Sequence, residues 1–242
     1  MKLVLGSSSP ARLATLHSAG LRPIAISPDI DETAHMDEGI DELTARLAEQ
    51  KGNSVRRQLR ERGLLDEPVV LLACDTMLEI EGNIVGKPGT AEKAVMRWYR
   101  MRSRQGVIHT GHYVAVLRDG MAHEQTRVAT TIVDFADLTD AEIADYAATG
   151  EPQNVAGGFT IDSLGGPFVM GVHGDPHNVV GISLPLVRQM LLDLGVSWFS
   201  LWDRPLSEAW QERHGAIAAT KPGVPAESGS PQGPGAPADR DE

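Results

Sequence analysis

One cysteine, Cys74, is all that the 242 residues hold. No internal disulfide can staple the chain, and a reducing, cytoplasmic setting is the expected one. Nowhere does an apolar run approach the roughly 18 to 20 residues that a membrane span requires. The N-terminus carries one lysine and passes straight into a strand pattern, so no secretory signal is expected. Positive charge is scarce too: 22 lysines and arginines stand against 33 aspartates and glutamates, a formal net charge of -11. That acidity argues against broad binding to nucleic acid or to an anionic membrane. It leaves room for a small anionic substrate held by a few focused cations, with a divalent metal adding positive charge. Familiar site signatures are missing as well. There is no Gly-x-Ser-x-Gly elbow, no Walker-type lysine and no strong cysteine/histidine metal spacing.

What is present suits a globular domain. Hydrophobic residues make up 41% and charged ones 23%, enough to bury a core as one large domain or two small lobes. The composition changes near His214, where "GAIAATKPGVPAESGSPQGPGAPADRDE" has no apolar period. A disordered tail over 214–242 is therefore expected behind a domain spanning 1–213. Upstream, residues 2–5 predict a buried strand, and Pro10 to Ala19 a helix capped by Ser9 and stopped by Gly20. Residues 41–62 predict a longer helix with Leu43, Leu47, Val55 and Leu59 on one stripe. "VVLLACD" at 69–75 fits a central strand, and "MLEIEGNIVGKP" a hairpin turning near Gly82-Asn83. A helix over 90–102 precedes two long strands joined near Asp119-Gly120. Thr139 and Glu142 form a capping box for a helix ending at Gly150, and a last helix runs from about Pro185 to Leu194. The class is α/β with a mixed sheet.

Five features bear on chemistry. "LVLGSSSPAR" at 3–12 joins a strand, a Gly/Ser turn and a helix N-terminus. Free N–H groups and the helix dipole favour an anion there, with Ser7, Ser8 and Ser9 adding hydroxyls and Arg12 a fork suited to phosphate. A plain serine-capped helix beside a solvated arginine reads the same stretch equally simply. Asp29, Asp31 and Glu32 in "PDIDETA" form either a hard-cation site or an acidic surface loop. Lys51 lies at i+4 from Leu47, on the apolar stripe. It either snorkels to the edge or meets an anion against that face, since a charge on the core side needs a partner. Asp75 follows an apolar strand, where ligands of open α/β sheets collect, and suits a metal ligand, a base for water or a simple turn residue. Lys87, in "GKP" at 86–88, sits on a stiff turn as a point charge for phosphate or as a surface lysine. His173 and His177 are set aside, because the intervening Gly and Pro preclude one regular helix. Cys74, inside an apolar strand, reads as packed rather than reactive.

Taken in order, these segments resemble the Maf family of nucleoside triphosphate pyrophosphatases over roughly residues 2–196. The carriers are "SSSPAR" at 7–12, "DIDET" at 29–33, "RLAEQK" at 46–51, "CDT" at 74–76 and "GKP" at 86–88. "FADLTDAEIADY" at 135–146, "GEPQNVAGGFTIDSLGG" at 150–166 and "GDPHNVVGISLPL" at 174–186 continue the series. The resemblance implies a long mixed β-sheet with flanking helices and two lobes around a cleft, as in the related inosine triphosphate pyrophosphatases. It implies hydrolysis of a nucleoside triphosphate to the monophosphate and pyrophosphate with Mg²⁺ or Mn²⁺, and a homodimer. By position, Ser7, Ser9, Arg12, Lys51 and Lys87 would hold phosphates. Glu32 and Asp75 would bind metal, with Asp75 the base for the attacking water. "DT" at 75–76 resembles the branch acting on dTTP and UTP, including modified pyrimidines. The chain departs from the family at Ala11, where a first arginine is common, and at Val155, Phe159 and Asp162 in the stretch bearing on base recognition. The reading from a different class is a nucleotide-binding regulator of septum formation with little turnover.

Overall fold

The computed structural model describes residues 1–33 and 38–203. The expected tail at 214–242, and the end of the expected domain near 213, lie outside the described residues. Among the described residues, seven strands form one mixed sheet: β1 (Lys2–Gly6), β2 (Ile24–Ile26), β3 (Val69–Ile80), β4 (Asn83–Val85), β5 (Gln105–Arg118), β6 (Met121–Phe135) and β7 (Val169–His173). Their order is β2-β1-β3-β5-β6-β7, with β4 paired to β3. β1 is parallel to both β2 and β3, while every other pairing is antiparallel. The helices are α1 (Pro10–Ser18), α2 (Ile40–Glu61), α3 (Ala91–Met101), α4 (Asp140–Ala148), α5 (Pro176–Val180) and α6 (Leu184–Asp193). None is long and apolar enough to cross a membrane.

Local chemistry sets the boundaries. The Ser9 hydroxyl accepts the Arg12 N–H and Pro10 opens α1, so the orphan donors of its first turn are partly satisfied. Thr139 and Glu142 cap α4 reciprocally. The β5–β6 and β3–β4 hairpins turn on paired left-handed residues: Asp119 (φ 53°) with Gly120 (φ 75°), and Glu81 (φ 50°) with Gly82 (φ 74°). Such a turn matches the twist of the flanking strands. The second lies one residue earlier than the expected Gly82-Asn83, because Asn83 already pairs with Ile80.

Three buried clusters organise the interior. On one face of the sheet, Leu5, Leu72 and Val114 pack with Leu16 of α1 and Val187, Met190 and Leu191 of α6. On the other, Val4, Leu71, Ala73 and Ala115 pack with Ala48, Val55 and Leu59 of α2. The third gathers Leu78, Ile80, Ile108 and Phe135 with Trp98 of α3 and Tyr146 of α4. Trp98 is the hub of this last cluster, edge-on to Phe135, Tyr146 and Phe168 at 5.6 to 5.8 Å. β3 and β5 thus supply both ends of the domain, giving two lobes with a cleft between them. β3 does not stop where the apolar run stops. It continues through Asp75 to Ile80, so Asp75 lies mid-strand rather than at a carboxyl end.

Candidate active site

The cleft opens where β3 loses a neighbour. β5 pairs with one side of β3 from Val69 to Glu79. On the other side, β1 ends with Gly6 opposite Ala73, and β4 ends with Val85 opposite Leu78. Among the described residues, Cys74 to Met77 therefore have no strand beside them on that edge. β1 runs parallel to β3 and β4 antiparallel, so their C-terminal ends approach the gap from opposite directions. The chain leaves β1 through Ser7–Ser9 and leaves β4 through Gly86-Lys87-Pro88. These two turns flank a cleft of about 470 Å³.

Strand alternation divides the work at its floor. Asp75 shares a face of β3 with Ala73 and points to α2. There Lys51, one turn from both Leu47 and Val55, comes down from the apolar stripe. Its ammonium donates to Asp75 Oδ1 at 2.5 Å and lies 2.7 Å from Glu32 Oε1. Lys51 and Asp75 are only 6% and 4% exposed, so each needs the other. Asp75 Oδ2 is buried and meets no hydrogen-bond partner among the described residues. Partial burial pushes the Glu32 carboxyl up. The hydrogen bond and charge of Lys51, with Lys87 and Arg12 beyond, outweigh that and hold it below its ordinary value.

The first turn is knitted around Arg12. The Ser7 hydroxyl oxygen accepts from the Ser9 N–H (3.1 Å) and from Arg12 Nη1 (3.3 Å). With both lone pairs engaged, the Ser7 O–H is left to donate. Arg12 also donates from Nε to the Gly181 carbonyl (2.7 Å) and from Nη2 to Thr76 Oγ1 (2.9 Å). Three of the five guanidinium donors are thereby fixed, leaving one on each terminal nitrogen. Lys87 is exposed at the rim, but its turn is braced. The Gly86 carbonyl accepts from Gly157 N and from Arg97 Nη1, and Gly89 N donates to Gln153 O at 2.9 Å. The far wall comes from Val155, Phe159, Ile161 and Asp162. Glu151 fastens this loop, accepting from Tyr146 Oη (2.8 Å), Thr160 Oγ1 (2.6 Å) and the Gly165 N–H (3.0 Å).

Against this geometry, comparison with known proteins is decisive about kinship. The sequence profile of the Maf-like proteins matches residues 2–194. The chain belongs to the Maf-like protein family. A Cutibacterium acnes protein named nucleoside triphosphate pyrophosphatase is 52% identical over 206 residues, covering 84% of this chain and 95% of its own length. Proteins of the same name from Salinispora tropica and Saccharopolyspora erythraea are 45% and 44% identical, covering 90% and 100% of their own lengths and 86% of this chain in each case.

In this Maf-like chain the seven residues to which the family resemblance gives a role line one cleft: Ser7, Ser9 and Arg12 from the first turn, Glu32, Lys51 and Asp75 at the floor, and Lys87 opposite. The acidic segment is split. Asp29 and Asp31 line a separate surface depression, where the Asp29 N–H meets Ser54 Oγ and Asp31 Oδ1 accepts from Thr33. Only Glu32 turns inward. His173 and His177 take separate carboxylates, Asp134 and Asp175. Among the described residues no group of three or more His, Cys, Asp or Glu is placed to hold a metal ion. Cys74 is buried, which pushes its thiol up to about 11. Sequence reasoning missed Gly181 and Glu151, and it missed the contact of Thr76 with Arg12. Their one signal in the sequence was membership of the quoted blocks at 150–166 and 174–186, which assigns them no contact.

Proposed function

We propose that this chain hydrolyses nucleoside triphosphates to the monophosphate and pyrophosphate, as the names of its relatives state for them. The observation that carries the reading is the Lys51 ammonium bridging Asp75 and Glu32 at the floor of a cleft flanked by Arg12 and Lys87, with Asp75 Oδ2 buried and unpaired among the described residues. The triphosphate lies between the two turns, with Arg12, Lys87 and the Ser7 and Ser9 hydroxyls on its oxygens. Lys51 fixes Asp75 through Oδ1, which leaves Oδ2 to take a proton from a water. The water oxygen bonds to the α-phosphorus, and the bond from that phosphorus to the α–β bridging oxygen breaks. Pyrophosphate leaves with its charge met by Arg12 and Lys87. Holding charge and in-line geometry is most of what phosphoryl transfer asks of a protein.

Two carboxylates, an unpaired buried oxygen and an all-oxygen donor set fit Mg²⁺ or Mn²⁺, which are bound through one or two carboxylates plus substrate phosphates. Glu32 and Asp75 would hold the ion. A carboxylate oxygen has two lone pairs, so Asp75 can serve both ion and water. When bound, the ion neutralises phosphate charge and polarises the reacting phosphoryl group. Thymine and uracil nucleotides are the proposed substrates: "DT" at 75–76 marks that branch by resemblance, and the mainly apolar wall of Val155, Phe159 and Ile161 is compatible with their bases. A homodimer is proposed on the same resemblance, and light scattering tests it.

The test is product analysis of the purified chain with Mg²⁺ or Mn²⁺ against dTTP, UTP, CTP, 7-methyl-GTP and ITP. Monophosphate and pyrophosphate in equal amounts, fastest from dTTP and UTP, are expected. Orthophosphate release would overturn the bond assignment. Tight nucleotide binding without metal-dependent product would replace the enzyme reading with that of a nucleotide-binding regulator.

A further inference from the structure

Beneath the cleft floor runs a buried hydroxyl chain of fixed direction. Thr76 follows Asp75 on β3 and so faces the opposite side of the sheet, toward α1. Its Oγ1 lies 2.9 Å from Arg12 Nη2 and 3.0 Å from Thr110 Oγ1 of β5. Thr110 Oγ1 in turn donates to the Asn178 carbonyl of α5 at 3.3 Å. A threonine has one hydroxyl proton. For both Thr110 contacts to be hydrogen bonds at once, the Thr110 proton must go to the Asn178 carbonyl and the Thr76 proton to Thr110, which leaves the Thr76 oxygen to accept from Arg12. Asn178 is itself anchored, its Nδ2 donating to Thr131 Oγ1 (3.1 Å) and to the Ala129 carbonyl (3.2 Å). Thr76, Thr110 and Asn178 are 7%, 0% and 0% exposed, where an unmade hydrogen bond is costly.

A second, independent feature protects the same contact. Gly181 has φ +111°, and a Cβ there would stand 3.1 Å from Arg12 Nε and 3.2 Å from Thr76 Oγ1. The corner between α5 and α6 is thus left bare where the guanidinium meets the threonine, and its carbonyl takes the Arg12 Nε–H.

Resting on the proposal that Arg12 grips substrate phosphate, we infer that Thr76 is a positioning residue that holds the Arg12 guanidinium in line with the cleft. The motif residue that marks substrate branch by resemblance thereby acts on the phosphate side. Its hydroxyl is committed to Arg12 and Thr110 and reads no base. Removing it should cost the same for every nucleotide, because every nucleotide presents the same triphosphate.

The experiment compares Thr76→Val, Thr76→Ser and Arg12→Ala, with circular-dichroism melting to establish folding and steady-state kinetics on dTTP, UTP and CTP. Thr76→Val keeps the shape and loses the hydroxyl. It should lower kcat by about tenfold or more with KM changed less than about threefold, as expected for an interaction that matters at the transition state. The ratios of kcat/KM among the three nucleotides should stay within about twofold of wild type. Thr76→Ser should restore most of the rate, and Arg12→Ala combined with Thr76→Val should be no slower than Arg12→Ala alone. Wild-type kcat in Thr76→Val beside a disabled Arg12→Ala would overturn the inference alone. Altered nucleotide ratios would overturn it in favour of base reading. Full turnover in Arg12→Ala would instead strike the phosphate role of Arg12. If Thr76→Val does not fold, Thr76→Ala measured against Thr76→Ser carries the same comparison.

Discussion

A lysine on the apolar stripe of a helix demands a partner, and Lys51 has two. Its period was readable, since i+4 from Leu47 puts it against the sheet. The partners were not readable, because Asp75 is 24 residues away and Glu32 lies on an irregular segment. Lys51→Met should leave Asp75 buried without its counter-charge. A loss of about 3 kcal/mol in stability, within the range for breaking a buried pair, is expected from urea unfolding, together with loss of turnover. Asp75→Asn leaves Lys51 its second carboxylate and nearly the same volume. It should fold normally and lower kcat by about 10² to 10⁴, the span for removing a general base. Near-wild-type turnover in Asp75→Asn would remove Asp75 from the mechanism.

Placement of α2 on the sheet depends on two bare backbone positions. A Cβ on Gly52 would fall 2.1 Å from the Tyr113 ring, and one on Gly111 would fall 2.0 Å from the Thr44 carbonyl. Helix and β5 can approach this closely only because both side chains are missing, and Lys51 immediately precedes Gly52. Gly52→Ala and Gly111→Ala should each destabilise by about 3 kcal/mol through overpacking, with a parallel fall in kcat as Lys51 shifts from Asp75. An unchanged urea midpoint and unchanged kcat would contradict this. Strong patterns such as the stripe of α2 and the Asp119-Gly120 hairpin were legible in sequence. β2, β7 and α5 were not: they have three, five and five residues, too few to establish a period. β2 is mostly exposed, and β7 carries Gly171 and an exposed Met170. The end of β3 was misread because its apolar run stops at Cys74, although its hydrogen bonding does not.

Residues 1–203 are built on a sheet whose two ends are packed separately and whose middle, among the described residues, is left open on one edge. A mixed sheet could be read from the alternation of strands and helices, but its order could not, and only the order reveals the gap beside Asp75. On the face of the sheet covered by α6, His112 is fully buried against the N-terminus of that helix. Nε2 accepts the Ser183 N–H at 2.7 Å, and Nδ1 donates to the Thr110 carbonyl at 2.9 Å, so the ring must be neutral. Burial, aided by Arg12, pushes it down to about 4. The unfolded chain, with an ordinary histidine near 6.5, binds more protons between those values. The stability tied to His112 is therefore complete above about pH 6.5 and falls as pH drops toward 4. Urea midpoints measured at intervals from pH 7 to 4.5 should fall less in His112→Gln than in wild type. Equal slopes would contradict the role given to His112.

The central claim is that a water held by Asp75 attacks the α-phosphorus. Hydrolysis of dTTP in ¹⁸O-labelled water with Mg²⁺, followed by mass spectrometry of both products, tests it most directly. One ¹⁸O is expected in the thymidine monophosphate and none in the pyrophosphate. Label in the pyrophosphate, or in released orthophosphate, would mean that a different phosphorus is attacked and would contradict it.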